Sequence, residues 1–274
     1  MVHYRPVWAP DEIDLDRPAA ARMYDYYLGG SHNFAADRAL AEENLAVWPD
    51  LPHIARANRA FLHRAVSYLC GVGIDQFLDL GSGIPTIGPV HEIAHAANPG
   101  ARTAYVDVDP VAVAHSRSIL ADVPYASVAH ADIRDPAAVL ADPAVAGLLD
   151  FDRPIAVLMV AVLHFVPSTD DPAGIVAAFR AATAPGSYLA VCHATGDYQP
   201  EAAKRHEDIY TKASSQFTFR SRAEIAELLA GYDLVSPGLV DMTTWRADPQ
   251  DTRQDPLGGD VTRYSAYACV GLRS

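Results

Sequence analysis

Apolar positions along this chain change their spacing twice. Up to about residue 70 they recur every three or four residues, as on the buried face of a helix. Asp16 and Pro18 mark a helix start and Gly29-Gly30 an end, with Met23 and Tyr27 on the inward face. A second helix is predicted from Ala35 to about Val47, stopped by Pro49. A third runs up to Gly71, with Ile54, Ala57, Phe61, Ala65 and Leu69 on one stripe. From Gln76 to His193 short apolar runs alternate with helical stretches, the rhythm of five parallel strands joined by right-handed crossovers. Ile155–Val160 is apolar throughout, as expected of a strand covered on both faces. Beyond it, Pro200–Ser215 reads as a polar helix, and Ser221 caps another that runs through Leu229 to Gly231. Leu234-Val235 and Tyr264–Val270 read as a closing antiparallel pair at one edge. Thr244–Asp260, rich in Pro, Asp and Gly, reads as a loop long enough for a lid or substrate-facing element.

The chemistry begins at the first strand. Phe77-Leu78-Asp79-Leu80-Gly81-Ser82-Gly83 is an apolar strand ending in an acid and a glycine turn. Two glycines one residue apart let the backbone turn sharply and approach a ligand, and a helix following directly would aim its N–H groups at that ligand. A dinucleotide site requires a third glycine, but Pro85-Thr86 stands there. Asp79 would also repel a pyrophosphate while suiting a ligand with an ammonium group. A second strand, Arg102–Asp107, ends in an acid at the distance where ribose-binding acids sit. Asp109-Pro110 then caps a helix over Val111–Leu120. Asp132 follows the third strand, Tyr125–His130, and can accept from an adenine amine. Capping of helices is the competing reading of Asp107 and Asp132. His164 and His193, each at a strand exit, are the candidate general bases, against a role as packed, backbone-bonded histidines. Tyr24 offers an aromatic face to a sulfonium, and Arg59, with Arg22 second, a cation to a carboxylate.

These elements, Asp-Leu-Gly-Ser-Gly, Val-Asp-Val-Asp-Pro, His-Ala-Asp-Ile-Arg, Val-Leu-His-Phe-Val and Ala-Pro-Gly-Ser-Tyr-Leu, resemble the class I S-adenosylmethionine (SAM)-dependent methyltransferases in kind and order. Ahead of them, Arg22–Gly30, Asn33–Arg38 and Arg56–Leu62 resemble an actinobacterial methyltransferase family formerly filed as a domain of unknown function. The resemblance implies an α/β fold. Its sheet is Rossmann-like and seven-stranded, mostly parallel with an antiparallel edge. A helical cap over residues 1–70 precedes a core over 71–274, which carries a substrate-facing insertion around 198–260. The implied SAM site comprises Tyr24, Gly30, Arg59, Asp79, Gly81, Ser82, Gly83, Asp107, Val108, Asp132, Ile133 and Ala161. It names no acceptor. A SAM- or nucleoside-binding protein without transferase activity is the alternative, and a nicotinamide oxidoreductase is disfavoured by Asp79 and Thr86.

Composition narrows the partners. The 274 residues are half hydrophobic and carry a net charge of −13, which argues against nucleic acid or anionic membrane and leaves a small-molecule substrate. The three cysteines, Cys70, Cys192 and Cys269, are scattered, so neither a disulfide framework nor a zinc cluster is expected. The start is polar and no apolar run spans a bilayer, so a cytoplasmic protein is expected.

Overall fold

The computed structural model of the protein describes residues 14–247, 257 and 259–274. Its centre is one mixed sheet. β1 (Gln76–Leu80), β2 (Arg102–Asp107), β3 (Ala126–His130), β4 (Ala156–Val160) and β5 (Tyr188–Ala194) are parallel, in the order β3-β2-β1-β4-β5. β8 (Ala266–Leu272) runs antiparallel along β5. Outside β8 lie two short strands, β6 (Asp233–Leu234) and β7 (Val240–Asp241), against opposite ends of it. The expected seven strands are therefore eight among the described residues, filling seven positions. Ser236-Pro237-Gly238 breaks the outermost one, since Pro cannot donate to a ladder.

Alternation along the strands sorts the core onto two faces. Leu78, Leu80, Val106, Val157 and Met159 pack on one side, covered by α8 (Pro172–Ala182) and α10 (Arg222–Leu228). Phe77, Tyr105, Leu158 and Ala190 point to the other, beneath α3 (Leu51–Gly71) and α4 (Val90–Ala97). Phe61, Ala65 and Leu69 of α3 are fully buried there, so α3 belongs to the layers of the sheet. Removing such a side chain from water contributes roughly 1.5–3 kcal/mol. α5 (Pro110–Ile119) follows β2, capped by Asp109, whose carboxylate accepts from Val111 and Ala112. α6 (Pro136–Ala141) and α7 (Pro143–Ala146) are short helices after β3.

A third cluster lies beyond the carboxyl ends of the strands. α1 (Ala20–Tyr27) and α2 (Ala35–Val47) pack there with α9 (Pro200–Tyr210), joining Met23, Tyr27, Leu40, Ile209 and Tyr210. The helix expected to reach Ser215 stops at Tyr210. Ser214 instead donates its N–H to the Pro18 carbonyl at 2.8 Å, which draws the chain towards the start of α1. Of the loop expected over Thr244–Asp260, residues 248–256 and 258 lie outside the described residues. Trp245 is fully buried against Phe61 and Tyr68, and Arg64 donates to its carbonyl at 2.8 Å. Its side chain is thus an anchor in the core.

Asp37 organises the outer helices. Its oxygens accept from Ala19 N at 3.0 Å and Phe34 N at 2.8 Å. Arg22 Nε lies 3.3 Å from Asp37 and 3.7 Å from the helix-capping Asp109. Burial raises the Asp37 pKa, and the Arg22 guanidinium opposes that rise. A carboxyl with a raised folded pKa takes up protons on folding, so its contribution to stability falls as pH rises through that interval. Arg22→Met lifts the folded value further. It is expected to cost about 3–5 kcal/mol at pH 7.5 and clearly less near pH 4.5, read from urea unfolding at the two pH values.

Candidate active site

Strand order reverses between β1 and β4, the point where open α/β sheets place a ligand beyond the strand ends. A cavity of about 790 Å³ opens there, well within the size range of small-molecule sites. Gly81 and Gly83 form its floor with φ of +67° and +62°. A Cβ on Gly81 would sit 2.1 Å from Val162 Cγ2, so the turn and the exit of β4 are in direct contact.

The turn is not the start of a helix. α4 begins only at Val90, after Pro85, Gly88 and Pro89. Its N–H groups are used internally: Gly81 and Ser82 donate to the Val106 carbonyl, and Gly83 to Asp107 Oδ2 at 2.7 Å. The expectation that they aim at a ligand is corrected accordingly. Asp107 is a buried carboxylate on the cavity wall, and its other oxygen accepts from Asp109 N at 2.8 Å. Burial pushes its pKa up to about 6, against the pull of these N–H groups. Asp132 and Ile133 line the same wall, with Asp132 gripped by Arg134, whose hydrogen bonds hold its carboxyl below the usual range. Val108 stands on the rim, 53% exposed.

The opposite wall comes from α1 and α3. Tyr24 donates its hydroxyl to the Ala55 carbonyl and accepts from Asn58. Asn58 is buried, and its side-chain oxygen, on a residue of the cavity wall, has no partner. Arg59 also lines the cavity and donates to the carbonyls of Ile87 and Gly88. Asp79 lies behind this wall, 5% exposed, with no hydrogen bond from a described residue. Burial pushes it up to about 7, and Arg59 pulls the other way. Arg22, the second choice for a carboxylate ligand, is engaged by Asp37 and Asp109. Gly30 is away from the cavity; a Cβ there would strike the Asp25 carboxylate at 2.1 Å. That carboxylate accepts from His32 N and the Asn33 amide, so the glycine makes room for a structural turn.

Ala161, directly after β4, holds φ at +62° on the cavity wall. A left-handed alanine is a strained residue kept in place by its surroundings, here by its N–H bond to the Cys192 carbonyl. The two candidate bases part company. His193 is fully buried and away from the cavity. Arg220 donates to its Nε2 at 2.9 Å, so Nδ1 carries the proton and bonds the Ala194 carbonyl. With its only lone pair occupied, His193 is a structural histidine. His164 lines the cavity, stacked on Phe217 with ring centroids 4.3 Å apart, and its Nδ1 has no partner. Burial pushes its pKa well below the ordinary value, and His193, His206 and Arg220 push the same way.

Several wall residues lie outside the strand-end motifs. Trp48, His206 and Phe219 line the cavity beside Phe217. Arg220 donates to the carbonyls of Leu163 and Val166 and so holds the turn that presents His164. The alternation Gln216-Phe217-Thr218-Phe219-Arg220 was a usable clue, since it puts both rings on one side of an extended segment. No group of His, Cys, Asp and Glu among the described residues could hold a metal ion.

A crystal structure of a candidate methyltransferase from Thermobifida fusca superposes with a TM-score of 0.89 at 39% identity, covering 98% of this chain and 100% of that one. A DUF574 family protein from Streptomyces avermitilis gives 0.90 at 35% identity, over 95% and 100%. The pyocyanin biosynthetic protein PhzM shares the fold alone, at 16% identity and a TM-score of 0.50, over 82% of this chain and 57% of that one. No protein of curated function matches the chain. The sequence profile described as S-adenosyl methyltransferase matches residues 6–273. On that match and these relatives, the chain belongs to the S-adenosyl methyltransferase family.

Proposed function

We propose that this SAM-dependent methyltransferase acts on a small-molecule acceptor held in the half of the cavity beyond Ala161, beneath α1, α2 and α9. The continuity of the cavity carries the proposal. One space of about 790 Å³ runs from Gly83 and Asp107 at the strand ends to Trp48 and His206 under the outer helices. No helix among the described residues is long and apolar enough to cross a membrane, and the net charge of −13 disfavours a nucleic-acid acceptor.

The residues at the strand ends fit SAM. Gly81 and Gly83 leave a floor without side chains, Asp107 offers free lone pairs to ribose hydroxyls, and Asn58 has an orphaned buried oxygen. Tyr24, Arg59 and Ala161 would border the methionine portion, and Val108, Asp132 and Ile133 the adenine. When bound, SAM supplies a methyl group already activated by its sulfonium. The protein then has to align the acceptor, exclude water and take a proton where the acceptor carries one. α1 and the start of α3, which carry Tyr24, Asn58 and Arg59 on the cavity wall, would cap the cofactor and exclude water. His164 is the residue that takes the proton, because it is on the wall with a nitrogen unpartnered and is held neutral by burial.

Two measurements test this reading. Asp107→Asn removes an acceptor for ribose, worth roughly 1.5–3 kcal/mol. SAM and S-adenosylhomocysteine affinity should fall about 10- to 150-fold by calorimetry; unchanged affinity would remove Asp107 from the site. His164→Gln should leave SAM affinity intact and slow transfer of labelled methyl to any acceptor turned over, by about 10²–10⁴-fold. A base must be neutral, and a lowered pKa keeps it so at neutral pH. With SAM saturating, so that protonation of Asp107 does not enter, the wild-type rate should therefore fall only on acidification below pH 6.5, a limb absent from the variant. A full rate with an unaltered pH profile would make His164 a packing residue.

A further inference from the structure

The far half of the cavity is walled by rings. Trp48 and Phe219 lie nearly parallel, with centroids 5.8 Å apart and 11° between planes. Phe217 stacks on His164 at 4.3 Å and meets the His206 edge at 4.7 Å. All of these line the cavity, and three are buried with a polar ring atom that has no partner: Trp48 Nε1, His164 Nδ1 and His206 Nδ1. Flat walls select flat ligands, because only a planar conjugated molecule can contact several ring faces and edges at once. Orphaned ring nitrogens in such a wall select a ligand that brings its own polar group to them, since a buried nitrogen without a partner costs free energy.

Charge then decides which polar group. Arg220 is 4% exposed and lies behind the His164 turn, with three neutral acceptors: the Leu163 and Val166 carbonyls and His193 Nε2. Glu224 is the acid that acts on it, but no carboxylate accepts its hydrogen bonds beside the chamber. The carboxylates on the cavity wall lie elsewhere: Asp107, Asp109 and Asp132 follow β2 and β3, and Asp14 accepts from the N–H groups of its own turn. An ammonium would face a buried guanidinium there, whereas an oxygen gaining negative charge would be stabilised by it.

Resting on the methyltransferase reading above, we infer that the acceptor is a planar aromatic hydroxyl compound, its ring among Trp48, Phe217 and Phe219 and its O–H directed to His164. In the transfer, the acceptor oxygen bonds to the methyl carbon as the carbon–sulfur bond breaks. The bonding pair stays on sulfur, and the hydroxyl proton passes to the His164 imidazole and then to water. The positive charge lost at sulfur passes through the histidine, where burial and Arg220 oppose it, and leaves with the proton to water.

The test is calorimetry on the full chain saturated with S-adenosylhomocysteine, using 1-naphthol, 1-naphthylmethylamine (an ammonium at pH 7.5) and decahydro-1-naphthol. The expected result is binding of 1-naphthol at least about tenfold tighter than either comparator. Phe217→Ala and the milder Phe219→Leu should each weaken naphthol by about tenfold while SAM affinity stays at the wild-type level. That last measurement also shows that the site has folded. Absence of naphthol binding, tighter binding of the ammonium or of the saturated alcohol, or indifference to both substitutions in a chain that still binds SAM overturns this inference alone. Failure of the wild-type chain to bind SAM overturns the methyltransferase reading beneath it.

Discussion

A carboxylate taken out of water needs donors, and the two that Asp107 finds tie the site together. Gly83 N–H brings the turn after β1 against the end of β2, and Asp109 N–H fixes the residue that caps α5. Asp109 in turn lies near Arg22, and Arg22 near Asp37, where α1 and α2 begin. Strand end, glycine floor, helix cap and outer helices thus share one run of charge-assisted contacts. Because Asp107 also lines the cavity, the group that holds this run faces whatever the cavity binds.

The ring-lined half of the cavity depends on a different constraint. Its roof needs both ends of the chain: Trp48 follows α2, while His206, Phe217 and Phe219 come after residue 200. Neither end forms the wall alone. The Ser214 to Pro18 hydrogen bond and the joint burial of Met23, Tyr27, Ile209 and Tyr210 hold the two together. A strand-end half built on the sheet and a ring-lined half built on a two-part roof let the second vary in shape while the first stays fixed.

Legibility followed the range of the forces involved. α2 was readable to the residue, and β1–β5 nearly so, because periodicity and caps such as Asp109 act within a few positions. The glycine turn was visible, but not its delayed helix, which Pro85 and Pro89 push back to Val90. The far end of α9 was misjudged because a carbonyl almost two hundred residues away decides it. Gly30 and His193 looked like ligand residues by position; the Asp25 carboxylate, folded back within the same turn, and the Arg220 guanidinium, in a distant segment, claim them. The ring-lined chamber was missed for the same reason, as five rings from four separate segments meet only in space. β7, two residues long, has no pattern to read and exists because β8 offers it a ladder.

That broken outer strand has a consequence for how the protein behaves in company. The open edge of a sheet is a row of unpaired peptide groups, and a long straight one invites another chain to extend it. Here the row beyond β8 is divided into two stubs of two residues, β6 and β7, separated by Ser236-Pro237-Gly238. A visiting strand would find too few hydrogen bonds in register to settle on. The interruption that makes the sheet look incomplete guards it against edge-to-edge aggregation.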